Sequence, residues 1–188
     1  MKTRAFLLAL LGLMFESGCK PYDFSMGSDH IVACKVLTQL SSVQQGHTYT
    51  TLHGGGAINI NYFGATQYLF TTDIRLVHGT GFRVLIRPDV EQRNVLDSGM
   101  ILTVTEHGTT LDSAHNIVLE RSDVRMAEGT QLPLSILSEN NYSQVVLGCD
   151  TLTKGWSRRM ESDDIVIQAL PGSEVQVIQP DWSDVPDR

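Results

Sequence analysis

Short runs of β-branched and aromatic residues, separated by glycine, asparagine, aspartate and proline, repeat along most of this chain. Such runs predict strands joined by tight turns, and alternation of apolar with polar residues predicts strands with one buried face. Thr72 to Leu76 and Phe82 to Arg87 alternate in this way. The predicted strands are Ala57 to Tyr62, Tyr68 to Val77, Phe82 to Arg87, Met100 to Glu106, Asn116 to Glu120, Leu132 to Leu137, Ser143 to Gly148, Ile165 to Leu170 and Val175 to Gln179.

Turn and helix signals complete this pattern. His78 to Gly81 predicts a hairpin between two strands, and Glu106 to Thr109 predicts a second turn. Only Asp29 to Leu40 has a helical spacing of apolar residues, although its β-branched residues suit a strand equally well. Because each sheet must bury one apolar face, the pattern predicts an all-β fold, a β-sandwich of two antiparallel sheets.

The amino terminus has the features of an export signal. Lys2 and Arg4 precede an apolar run of about ten residues, Phe6 to Phe15, which is too short to span a bilayer. Ser17, Gly18 and Cys19 follow, and here the segment resembles a bacterial lipoprotein signal, although Glu16 departs from the usual apolar residue. The resemblance implies that residues 1–18 are removed and that Cys19 is lipidated and anchors the protein to a membrane. The alternative is an ordinary secretory signal with Cys19 as a plain thiol.

The domain organisation follows from the predicted signal peptide and the predicted strands. Residues 1–18 are the signal peptide, 19–53 a linker and first strand, 54–179 the sandwich, and 180–188 a tail. We expect a location in the cell envelope, outside the cytoplasm and lipid-anchored, with secretion or the periplasm as alternatives.

Two cysteines remain once Cys19 is assigned to lipid. An even pair in an exported protein predicts a disulfide between Cys34 and Cys149, and two separate thiols are the alternative.

The net charge of the whole chain is −7, which disfavours nucleic acid as a partner.

The order of the strands resembles the concanavalin A-like jelly roll of the lectin/glucanase and laminin G type. The likeness rests on Tyr68 to Leu76, Gly79 to Arg87, Gly99 to Val104, Leu132 to Leu137 and Ser143 to Asp150, and it extends over Gly54 to Gln179. It implies a jelly roll that binds carbohydrate or a protein partner, and in some members cleaves glycosides. An immunoglobulin-like sandwich would give much of the same alternation.

Candidate binding residues come from aromatic and basic side chains. Trp156, with Arg158 nearby, offers an aromatic platform for a sugar, and the alternative is a Trp tucked over the end of the sandwich. Tyr62, Tyr68, Arg83 and Arg87 form a second set, in which Tyr68 and the arginines share the concave side if the strands pair as predicted. The alternative is that these arginines only keep the surface soluble.

Catalysis and metal binding have weaker signals. A glycosidase needs two carboxylates facing one cleft, but Glu106, Glu120, Glu128 and Glu139 are isolated in the sequence. No catalytic residue, metal ligand or cofactor is therefore predicted. The resemblance implies calcium as an option, for which Asp150, Asp163 and Asp164 are the available oxygen donors.

The sequence therefore favours a lipid-anchored domain that binds a glycan or protein at the cell surface. A secreted glycoside hydrolase-like enzyme and a structural envelope lipoprotein remain the alternatives.

Overall fold

A computed structural model describes residues 32–38, 40–62, 67–88, 99–113, 118–139, 142–156 and 164–184. The predicted signal peptide 1–18, Cys19, Arg158 and Asp163 lie outside these residues. Within the described part the chain forms fourteen strands and one turn of 3₁₀ helix, Leu40–Ser42. The strands are β1 (Val32–Val36), β2 (Val43–Gln45), β3 (Tyr49–His53), β4 (Ala57–Tyr62), β5 (Gln67–His78), β6 (Gly81–Ile86), β7 (Met100–Thr105), β8 (Gly108–Ser113), β9 (Val118–Ser122), β10 (Gln131–Glu139), β11 (Tyr142–Leu147), β12 (Asp150–Trp156), β13 (Asp164–Ala169) and β14 (Glu174–Asp184).

The strands form two antiparallel sheets of seven strands each. Sheet I has the order β1-β4-β13-β6-β7-β8-β9, and sheet II has the order β12-β11-β10-β5-β14-β3-β2. The all-β sandwich predicted from the sequence is confirmed. None of the described helices is long and apolar enough to cross a membrane.

The core lies between the sheets and follows the predicted alternation. In β5, Tyr68, Phe70, Ile74 and Leu76 are fully buried and face sheet I. Trp182, near the end of β14, packs on Phe70 and on Tyr68 with ring centroids 4.8 and 4.7 Å apart. Strands β1 to β3 and the last residues of β14 lie outside the range 54–179, yet they belong to the two sheets.

The hairpin predicted at His78 to Gly81 is wrong, because this turn carries the chain from sheet II to sheet I. The backbone amides of Thr80 and Gly81 donate to the Ser173 hydroxyl, which draws the turn against the start of β14. The second predicted turn is confirmed as the β7–β8 hairpin, in which Thr105 pairs with Gly108.

The predicted Cys34–Cys149 disulfide is wrong, because Cys149 is a free, exposed thiol. Cys34 belongs to β1, one edge of sheet I, whereas Cys149 lies in the turn before β12, which contacts β9 at the opposite edge. Six strand spacings of sheet I separate β1 from β9, or about 29 Å. A disulfide requires Cα atoms within about 7 Å.

Candidate functional site

The outer face of sheet I carries polar side chains at three neighbouring strands. Ile58, Ile60, Ile165, Ile167, Phe82, Val84 and Ile86 face the core. Because strand residues alternate, the residues between them face outward. We call these residues the outer face: Ala57, Asn59 and Asn61 on β4, Asp164, Val166 and Gln168 on β13, and Arg83 and Leu85 on β6.

Asp164 is the centre of a buried polar cluster on this face. Its carboxylate oxygen Oδ1 accepts hydrogen bonds from Asn59 Nδ2, at 2.8 Å, and from Asn61 Nδ2. Asp164 is 2% exposed and Asn59 is 8% exposed. A buried carboxylate is costly unless it is hydrogen-bonded, so the two amide groups stabilise its charge.

The two asparagines present unused acceptors in the same cluster. A carboxylate can only accept hydrogen bonds, so each amide turns its nitrogen to Asp164 and its oxygen away. The Oδ1 atoms of Asn59 and Asn61 are buried and have no hydrogen-bond partner in the protein. Each such atom costs about 1–3 kcal/mol. A group that donates hydrogen bonds, such as a hydroxyl, would satisfy both.

An apolar floor separates this cluster from a basic residue on the same face. Ala57, Leu85 and Val166 form a small buried cluster against which Leu37 and Ile101 pack. Val166 lies directly opposite Asn59 and Leu85. The middle of the outer face is therefore apolar and shielded from solvent.

Arg83 lies on the other side of this floor. It pairs with Gln168 on β13 and with Thr103 on β7. Its Nε atom is buried and has no hydrogen-bond partner in the protein. The outer face thus combines buried acceptors on β4 with a buried donor on β6.

The structure separates the predicted set Tyr68, Arg83 and Arg87. Placing Tyr68 on a concave binding face is wrong, since its side chain is fully buried between the sheets. Arg87 has a left-handed backbone with φ of 53°, and its Nη1 donates to the buried Ser138 hydroxyl at 3.4 Å. Ser138 lies opposite Tyr68 on the neighbouring strand, so Arg87 reaches the same end of the interior as Tyr68.

Trp156 is the last residue of β12 and lies opposite Tyr142 at the strand end. Its role in ligand binding, like that of Arg158 outside the described residues, stays a prediction.

A pocket of about 360 Å³ lies at the other end of sheet I, around the β7–β8 hairpin. Its lining includes His107, Thr110, Arg121 and Asp123. The buried unpartnered atoms named above lie elsewhere, which makes the outer face the stronger candidate.

The two acidic residues in line with the outer face, Asp112 and Asp164, lie too far apart to form a catalytic pair for glycoside hydrolysis. Asp112 on β8 is the other acidic residue in line with the outer face, and three strand spacings separate β8 from β13. This corresponds to about 14 Å, beyond the roughly 5 to 10 Å between a catalytic pair.

The two described acidic residues weighed for calcium, Asp150 and Asp164, have other contacts. Asp164 accepts from the asparagines, and Asp150 accepts a hydrogen bond from the Ser122 hydroxyl at 2.9 Å. In the described ranges, no group of three or more His, Cys, Asp or Glu side chains is arranged to hold a metal ion.

The fold is a two-sheet antiparallel β-sandwich, and the resemblance to jelly-roll lectins is confirmed at the level of the fold. The chain is similar to the carbohydrate-binding module CBM66 from Bacillus subtilis, with a TM-score of 0.62, 10% identity, and coverage of 80% of this chain and 95% of that one. It is similar to the exoplasmic/lumenal domain of VIP36 in its Ca²⁺/Man-bound form, with a TM-score of 0.61, 8% identity and 84% coverage of each chain.

A glycosyl hydrolase-like protein from Parabacteroides distasonis has the same fold, with a TM-score of 0.58, 8% identity, and coverage of 80% of this chain and 93% of that one. No protein-family model matches the sequence, and no curated protein matches it. Similarity at this level of identity concerns the fold alone.

Proposed function

We propose that this protein is a carbohydrate-binding domain that uses the outer face of sheet I. The observation that carries the proposal is the pair of buried, unpartnered oxygens on Asn59 and Asn61 beside the Asp164 carboxylate. Sugar hydroxyls donate hydrogen bonds and suit such acceptors, which a ligand would approach at the half-exposed Asn61. The structural similarity to a carbohydrate-binding module and a lectin supports the same ligand class.

Access to the site would come from its half-exposed residues. Asn61 and Arg83 are partly exposed, whereas Asn59, Val166 and Leu85 lie behind them. A ligand would therefore contact Asn61 and Arg83, and the buried Asn59 would help to hold Asp164, the hydrogen-bond acceptor of Asn61, in place.

Substitution of Asn61 tests the proposal. We expect Asn61→Ala to weaken binding to the glycans recognised by the mature protein about tenfold or more, since one lost hydrogen bond of about 1.4 kcal/mol has that effect. Binding is measured on a glycan array and then by isothermal titration calorimetry. Gln44→Ala, which removes an exposed amide from β2, is the matched control and should leave binding unchanged. An array without any bound glycan, or equal affinities for wild type and Asn61→Ala, would contradict the proposal.

We also propose that the domain is exported and anchored by lipid at Cys19, as the Ser17-Gly18-Cys19 signal implies. Mass spectrometry of the purified protein should find acyl chains on an amino-terminal Cys19, and Cys19→Ser should release the protein from membranes. An intact leader on the product would refute this part of the proposal.

A further inference from the structure

The pocket at the β7–β8 hairpin is lined by outward-facing residues of sheet I. Val104 on β7 and Leu111 on β8 belong to the core, so by alternation Thr105 and Thr110 face outward. Both line the pocket. Thr110 pairs with Arg121 on β9, and residues directly opposite each other share one face of a sheet. The pocket and the outer face therefore lie on the same side of sheet I.

A row of polar residues joins this pocket to Arg83. Arg83 pairs with Thr103, Thr103 pairs with Thr110, and Thr110 pairs with Arg121. We call these four residues the polar row; Arg121 is exposed and the other three are half-buried. Three strand spacings, about 14 Å, separate Arg83 from Arg121. A single sugar ring is too short to contact both arginines, whereas a chain of sugars can.

Hydrogen bonds within the protein fix the walls of the pocket. The Thr105 hydroxyl donates to the Gly108 carbonyl at 3.0 Å and accepts from the His107 amide at 3.2 Å. The Ser122 hydroxyl donates to Asp150 at 2.9 Å. Walls that are ordered before a ligand arrives lose little conformational entropy when it binds.

Charged side chains at the rim of the pocket are accessible to a ligand. His107, Arg121 and Asp123 line the pocket and are exposed. The Arg121 guanidinium only donates hydrogen bonds, and the Asp123 carboxylate only accepts them. A sugar ring suits both, because each of its hydroxyls can donate and accept. The pocket volume, about 360 Å³, is in the range of small-molecule sites.

We infer that the ligand is an oligosaccharide, with one sugar unit in this pocket and the rest of the chain along the polar row toward Arg83. This inference rests on the proposed carbohydrate-binding function, which already places a ligand against Arg83. The pocket adds contacts that a monosaccharide bound at Arg83 does not reach. The affinity should therefore rise with chain length until a sugar unit fills the pocket.

The test is a size series of glucose-, mannose- and galactose-based oligosaccharides, from the monosaccharide to the hexasaccharide, screened on an array and titrated by isothermal calorimetry. In the series that the protein binds, we expect the longest form to bind at least about tenfold more tightly than the shortest form that binds. A tenfold gain corresponds to about 1.4 kcal/mol.

Variants at the rim connect this gain to the pocket. Arg121→Ala and the nearly isosteric Asp123→Asn should each remove most of the gain, while the affinity for the shortest form changes little. Arg125→Ala removes an exposed arginine that does not line the pocket, and as the matched control it should keep the full gain. Circular dichroism verifies that each variant is folded.

The outcomes separate this inference from the function on which it rests. Equal affinities for short and long forms, or a gain that survives in Arg121→Ala and Asp123→Asn, would overturn the inference while leaving carbohydrate binding in place. An equal loss at every chain length would also overturn it, because the pocket would then be the primary site. Failure to bind any glycan of the series or the array would overturn both.

Discussion

Hydrogen bonds from two side-chain amides stabilise the charge of the Asp164 carboxylate on the outer face, and Asp164 is in turn the acceptor for both amides. Asn59 and Asn61 have no other acceptor for the nitrogens that face Asp164, as far as the described residues extend. The cluster is therefore a unit: the carboxylate orients both amides, and the oxygens of the two amides are left without a partner in the protein.

Asp164→Ala should lower the free energy of unfolding by about 2–4 kcal/mol, because it leaves the buried Asn59 amide and the partly buried Asn61 amide without their acceptor, each costing about 1–3 kcal/mol when buried. Urea denaturation measures this change. Asp123→Ala, which removes an exposed carboxylate, should change it by no more than about 0.5 kcal/mol. Equal effects of the two substitutions would show that Asp164 is not held as described.

The site could be predicted from the sequence only in part. The outward position of Arg83 could be predicted, because alternation in β6 places it on the opposite face from Phe82 and Val84. Alternation in β5 also places Tyr68 on the opposite face from its two neighbours, but it does not say which of the two faces is buried. The prediction that Tyr68 faces a ligand was therefore wrong. Asn59 and Asn61 alternate with isoleucine in β4, a signal that was available, but their bonds to Asp164 join residues more than a hundred positions apart.

Strand prediction succeeded where β-branched residues are dense and failed where threonine or polar residues dominate. The strands β4, β5, β6, β7, β9, β10, β11, β13 and β14 correspond to predicted strands. The strands β2 (VQQ), β3 (YTTLH), β8 (GTTLDS) and β12 (DTLTKGW) were missed because their apolar content is low. The segment that suited a helix or a strand is strand β1 followed by a single 3₁₀ turn.

The link between β5 and β6 was misread because its partner is remote in sequence. Gly79 has φ of 98°, and a Cβ atom there would lie 2.5 Å from the Ser173 Cα at the start of β14. A glycine at this turn is required both by its backbone conformation and by the close approach of β14, and only the first of these can be inferred locally.

Gly79→Ala should reduce the free energy of unfolding by about 2–4 kcal/mol, since backbone strain and a steric clash add together. Gly129→Ala is the matched control: it also has positive φ, at 78°, but nothing lies within 4 Å of its added Cβ. We expect the control to cost about 1 kcal/mol, from strain alone. Thermal or urea unfolding of both variants gives the comparison, and a smaller loss for Gly79→Ala than for Gly129→Ala would contradict this description of the turn.

At the scale of the whole molecule, packing between the sheets holds the sandwich together without a covalent bridge to Cys149. Buried side chains from both sheets form one continuous core, to which Trp182 adds the end of the chain. The contact between β9 and β12 closes one side, where the Ser122 hydroxyl donates to Asp150.

Cys149 should therefore react with a thiol reagent in the native protein, and a reducing agent should leave the melting temperature unchanged. Cys149→Ser should alter the free energy of unfolding by no more than about 0.5 kcal/mol, as expected of an exposed site. A native protein without a reactive thiol, together with a melting temperature that falls on reduction, would restore the predicted disulfide.

The most direct test of the central claim is a map of amide chemical-shift changes in the ¹⁵N-labelled protein, titrated with the tightest-binding glycan from the array. We expect the largest changes at Asn59, Asn61, Asp164 and Arg83, on the three neighbouring strands of the outer face. Changes confined to the pocket at the β7–β8 hairpin, or to the strand end at Trp156, with the outer face unaffected, would contradict it.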